Sequence, residues 1–206
     1  MTGALFSFMG SALAIRALAK DLNVFEILSI RSGLGIAVLL ALVIARPTLR
    51  HELALRHMRL HVARNTTHFV GQYLWALAVT LLPFATVFAL EFTTPAWVAL
   101  LAALILGERL TISRIGSILL GFLGVVVIIR PGLASFQPTA LLVLLAALMF
   151  AISLIMTKTL TGHVSTFTVI FWMNAMQLPM ALSWPVLSAA TGGPSMFPLR
   201  LGADAL

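Results

Sequence analysis

Apolar residues in this chain form long runs, broken by short turns that carry charge, proline or glycine, and such runs predict helices rather than strands. Seven runs are expected to cross a membrane, a crossing that takes about 20 residues of helix. They lie at residues 3–19, 24–45, 66–82, 84–106, 115–129, 139–157 and 165–187. The first run has no Lys or Arg ahead of it, so it is read as a retained helix rather than a cleaved leader, although Ala12, Leu13 and Ala14 resemble a cleavage triplet. The pattern therefore predicts an all-α fold, a polytopic transmembrane helix bundle.

Composition sharpens this picture. Hydrophobic residues make up 61% of the chain and charged residues 9%, with a mean hydropathy of +1.08. A soluble domain has no place for so much apolar surface, so the lipid bilayer is the expected partner. The formal charge of +7 does not point to nucleic acid, because the basic residues gather at the helix ends. Arg46, Arg50, Arg56, Arg59, Arg64, Arg109, Arg114 and Lys158 fall on one side, against Arg16, Lys20, Arg130 and Arg200 on the other. The positive-inside rule then places the N-terminus in the cytoplasm, with the chain multi-pass in a bacterial inner membrane. Cysteine is absent, so disulfides and thiolate metal sites are excluded.

Polar residues inside the apolar runs are the candidates for function, because ionised or hydrogen-bonding groups in lipid usually face a bundle interior or water. Glu26 and Arg31 lie in the second run, Glu26 near enough its start to reach the surface. The third run carries Asn65, His68, Gln72 and Trp75, whose spacings of three, four and three put them on one side of a helix. In the fourth run Pro95 lacks an N–H, so the backbone carbonyl of Glu91 loses its helical partner; Thr94 stands on the same face as Glu91. Broken helices of this kind bind solutes in secondary transporters. In the seventh run Asn174 and Gln177 are three apart and are expected to line the same cavity as Gln72. For Glu26 and Arg31 the competing reading is a position near the surface reached by snorkelling, and for the polar residues of the third, fourth and seventh runs it is helix-to-helix hydrogen bonding, worth about 0.6–2 kcal/mol in membranes. His57 and His61 sit in a basic segment, residues 46–64, read as a solvated loop without a metal site. Gly116, Ser117, Gly121 and Gly124 in the fifth run are expected to let helices approach closely. No cofactor is expected, and no nucleophile, metal-ligand or phosphate-cradling pattern suggests an enzyme.

The run FTTPAWVALLAALILGERLT, followed by a glycine-bearing helix ending in GVVVIIRPG, resembles the EamA-type transporters of the drug/metabolite transporter superfamily. Phe92, Pro95, Leu106, Gly107, Glu108, Arg109, Gly124, Val125, Pro131 and Gly132 carry the likeness. The resemblance implies a secondary transporter of small organic metabolites or drugs that works by alternating access and exports its solute. Glu91 would then exchange protons or contact substrate, and Arg31 would meet an anionic group. It further implies ten helices in two inverted five-helix repeats. A constant offset pairs Phe8 with Phe150, Arg16 with Lys158, Leu18 with Leu160 and Phe25 with Phe167. The expected organisation is a first repeat at 1–132, a linker at 133–138, two helices of an inverted second repeat at 139–188, and a polar tail at 189–206. A homodimer or partner supplying the missing helices is one expectation, and a truncated half acting only as a membrane interaction protein is the alternative.

Overall fold

The computed structural model describes residues 2–53, 56–109, 111–129 and 138–191. Most of the expected linker and tail, Arg130 and Arg200 lie outside the described residues. The described chain is all-helical, with α1 at Thr2–Leu18, α2 at Val24–Ala45, α3 at Met58–Leu81, α4 at Phe84–Glu91, α5 at Thr94–Leu106, α6 at Ile112–Ile129, α7 at Ala140–Thr161 and α8 at Thr166–Thr191. Among the described residues, three helical stretches are long and apolar enough to cross a membrane, Val24–Ala45, Phe84–Leu106 and Ala140–Thr161. Large apolar side chains such as Leu104, Leu119, Leu120 and Val127 remain exposed, as faces that meet lipid require.

Two elements differ in extent from expectation. The fourth run, whose break the missing Pro95 N–H predicts, separates fully into two helices. The Thr93 amide and hydroxyl both donate to the Leu90 carbonyl, at 3.1 and 2.6 Å, tightening the chain just before Pro95 takes the first turn of α5. Proline fits there because the first helical N–H groups have no intrahelical acceptor. The second departure concerns the basic segment. Beyond a 3-10 turn at Pro47–Glu52, His57 adopts a left-handed backbone with φ of 57° and α3 begins at once. Met58, Arg59, Leu60, Ala63 and Arg64 are good helix formers. His61, expected in a solvated loop, is fully buried, and His57 stacks instead on His163 with ring centroids 4.8 Å apart.

The main seam runs between α3 and α7, and a second joins α2 to α8. Both close over a glycine. A Cβ on Gly71 would stand 3.0 Å from Phe150 Cδ1 and 3.2 Å from Met149 Cβ, and one on Gly35 would overlap the Asn174 amide. On α6 a Cβ at Gly121 would touch Ala96 at 3.5 Å, whereas Gly116 and Gly124 have open space; the Ser117 side chain is outside the described residues. Close approach thus falls mainly on α2 and α3 rather than on the glycine-bearing α6.

The two ends of the bundle differ. At the basic end Glu108 pairs with Lys158, and Glu52 accepts from the Ser165 hydroxyl at 2.6 Å and, through its carbonyl, from Thr168. The turns after α2, α5 and α7 therefore share one end, which agrees with the basic residues counted to one side. At the other end Arg16 donates to the Val79 and Leu82 carbonyls, satisfying the last turn of α3, and lies over the Phe84 ring, 3.5 Å from its centroid. Ala12, Ile15, Val79, Leu82, Val87 and Val143 pack as a dry core beside it.

Candidate translocation cavity

Where the dry core stops, a cavity of about 640 Å³ opens between the helices, within the range that encloses a small organic ligand. Four parts of the bundle supply its polar groups, α1 among them through Ser11. The stripe on α3 turns inward, so that His68, Gln72 and Trp75 line the cavity while Asn65 is buried against α8, its amide donating to the Trp172 carbonyl at 3.1 Å. Arg31 enters from α2. The break between α4 and α5 contributes Glu91 and Thr94, and Phe8, Phe88, Phe92 and Phe150 complete the wall.

Glu91 is held rather than loose, because the Trp75 indole N–H donates to its Oε2. Trp75 in turn packs on Phe8, centroids 5.0 Å apart, and Phe8 meets Phe88 edge-on at 5.6 Å. The carboxylate is therefore fixed at the edge of an aromatic patch. Arg31 is fixed by Gln72. With the Gln72 amide oxygen turned to Arg31, the guanidinium donates to it at 3.0 and 3.2 Å, and the Gln72 nitrogen donates to Gln177 Oε1 at 3.0 Å. Gln177 Nε2 stands 2.9 Å from His68 Nδ1. One connected run of hydrogen bonds thus joins α2, α3 and α8 beside the cavity.

The other candidates from the sequence are placed elsewhere. Glu26 closes a capping box at the start of α2: its backbone N–H donates to Asn23 Oδ1 at 3.0 Å and its carboxylate accepts from the Asn23 N–H at 2.8 Å. This satisfies two otherwise orphaned donors and accounts for the residue structurally. Asn174 does not join Gln177. It donates to the Ile170 carbonyl at 3.0 Å and packs over Gly35, since residues three apart on a helix still differ by about 60° in direction. Pro95 lines a second cavity, of about 740 Å³, between α5, α6 and α7, which shares Phe92, Thr94 and Leu154 with the first.

Arg64 lines the cavity as well, donating to Thr157 Oγ1 at 3.0 Å and Asn65 Oδ1 at 2.8 Å. The sequence pattern places it at the end of the basic loop, residues 46–64, whereas it lies in α3. Its signal was its position four residues before His68, in step with the polar stripe. The aromatic wall had no such signal, because a phenylalanine reads alike on a cavity, a core or a lipid face.

Opposed charges are held on aromatic and amide supports inside a multi-pass helical bundle whose outer faces are apolar. The model of the EamA-like transporter family matches residues 1–130, and the chain belongs to that family. It is a transporter-family protein rather than an enzyme. The chain is 37% identical over 126 residues to a riboflavin transporter of Brucella anthropi, covering 59% of this chain and 44% of that protein. It is 29% identical over 188 residues to an S-adenosylmethionine uptake transporter of Rickettsia prowazekii, covering 89% and 61%. The chain thus spans less than two thirds of the length of either relative. A crystal structure aligns with a TM-score of 0.58 at 20% identity, over 92% of this chain and 67% of the other, which supports the fold. The expectation of export finds no support here, because relatives in this set carry solute inward by name.

Proposed function

We propose that the chain carries a small metabolite bearing an aromatic heterocycle, bound in the 640 Å³ cavity between Arg31 and Glu91. The observation that carries this reading is the arrangement of the two charges. The acceptor, Glu91, is fixed beside the Trp75 and Phe8 rings, and the donors, Arg31 and Arg64, line the same space. A flat ring stacks on the aromatic patch, a cationic group meets Glu91, and a carboxylate meets an arginine fork. These features suit a zwitterion such as S-adenosylmethionine better than the neutral riboflavin ring system.

Glu91 lies in the broken span, where a proton or a cationic group changes the charge of the cavity during a transport cycle. α7 and α8 act as the opening helices of an inverted second repeat, and alternating access exchanges the closed Arg16 end for the basic end. The basic end faces the cytoplasm of a bacterium by the positive-inside rule, and inward movement is the working direction. Flux of radiolabelled S-adenosylmethionine and riboflavin into liposomes holding the purified protein tests the reading. Saturable S-adenosylmethionine flux, displaced weakly or not at all by riboflavin, is expected. The absence of saturable binding and flux for both solutes would reject it in favour of a membrane interaction protein.

A further inference from the structure

The hydrogen bonds beside the cavity have a direction set by one end. A guanidinium has five N–H donors and no acceptor, so Arg31 can only donate to Gln72. That fixes the Gln72 oxygen toward Arg31 and its nitrogen toward Gln177 Oε1. Gln177 has then committed its oxygen and meets His68 with its nitrogen, 2.9 Å from Nδ1. A neutral imidazole has one N–H and one bare nitrogen. Nδ1 must accept, and the proton therefore sits on Nε2.

His68 lines the cavity, and its ring packs against Phe150 with centroids 5.4 Å apart. No hydrogen bond reaches Nε2 from the described residues. Gln177 is only 2% exposed and is not part of the cavity wall. Its effect on a solute has to pass through Gln72 and His68.

We propose that Gln177 is a positioning residue for solute recognition: the relay from Arg31 through Gln72 and Gln177 holds His68 as its Nε2–H tautomer and presents a hydrogen-bond donor to the cavity. A solute must then bring an acceptor to that point, such as a carbonyl oxygen or a pyridine-type ring nitrogen. The solute half of this inference rests on the carrier reading; the tautomer is a property of the protein alone. A solute with only donors along that edge would face the imidazole N–H without a partner and lose the affinity that a buried unmade hydrogen bond costs.

Nitrogen NMR of the purified protein in bilayers, labelled with ¹⁵N-histidine, reads the tautomer directly, with the His68 signals identified by their loss in His68→Gln. The expected spectrum has an unprotonated Nδ1 and a protonated Nε2. In Gln177→Glu the carboxylate has no proton to donate, so Nδ1 becomes protonated, and KM for the carried solute rises about tenfold while kcat changes less. A protonated Nδ1 with bare Nε2 in the unsubstituted protein overturns the relay, and that spectrum decides the question even if the variant fails to fold. An unchanged KM alongside a switched tautomer overturns the role in recognition. The expected tautomer without flux of either solute would uphold the relay and remove the carrier reading.

Discussion

Arg31→Leu is expected to reduce solute transport by about 10- to 100-fold, the cost of losing a charged hydrogen-bonding group from a partly enclosed site. Two losses combine. The cavity loses one of its fixed cations, and the Gln72 oxygen, which accepts from the guanidinium at 3.0 and 3.2 Å, is left without that donor. The amide is then free to rotate, and the orientation of Gln177 and His68 is no longer dictated. Arg31→Lys should recover part of the activity, because an ammonium restores the charge but lacks the two-pronged geometry of a guanidinium. Initial rates of solute entry, measured beside the thermal unfolding midpoint, separate this from a folding defect. Unchanged KM and kcat in Arg31→Leu would mean that the solute does not meet this arginine.

The second large effect is expected at Gly71. Leucine there has no room, because even a Cβ would lie 3.0 and 3.1 Å from two Phe150 ring carbons and 3.2 Å from Met149 Cβ. Overpacking of this kind costs about 1–3 kcal/mol, and it acts on the main seam of the bundle, between α3 and α7. Phe150 is also a cavity wall and the ring partner of His68. Gly71→Leu should therefore lower the unfolding midpoint and abolish transport together, with Gly71→Ala falling between it and the original protein. A Gly71→Leu protein with the original midpoint would show that α3 and α7 do not pack as described.

What could be read from the sequence was what depends on one helix alone. Pro95 lacks an N–H wherever it stands, so the break after Glu91 was visible. The α3 stripe was visible because His68, Gln72 and Trp75 repeat with the helical turn. The capping box was also written in the chain, as Asn23 followed three residues later by Glu26, yet Glu26 drew attention as a charge in an apolar run. Positions fixed by a neighbour's rotation were not readable. Asn174 and Gln177 have the same chemistry, and only the way α8 lies on α2 and α3 sends one to Gly35 and the other to His68. The same holds for glycines. Gly116 and Gly124 look like contact points, but the close neighbours stand at Gly35 and Gly71. Arg64 was hidden by a sound rule, since the density of basic residues around it favoured a loop, while the stripe it extends made helix.

The chain contains no cysteine, so a single introduced thiol can report occupancy of the cavity without background. Ser11 lines the cavity, and Thr161 lies exposed at the end of α7. The decisive measurement is the rate at which a water-soluble maleimide labels Ser11→Cys, with and without S-adenosylmethionine or riboflavin, and with Thr161→Cys as the control. If the cavity between Arg31 and Glu91 holds the solute, saturating solute slows labelling at position 11 and leaves position 161 unaffected. Equal labelling rates at position 11 with and without either solute, in a protein that still transports it, would place the solute elsewhere and contradict the account.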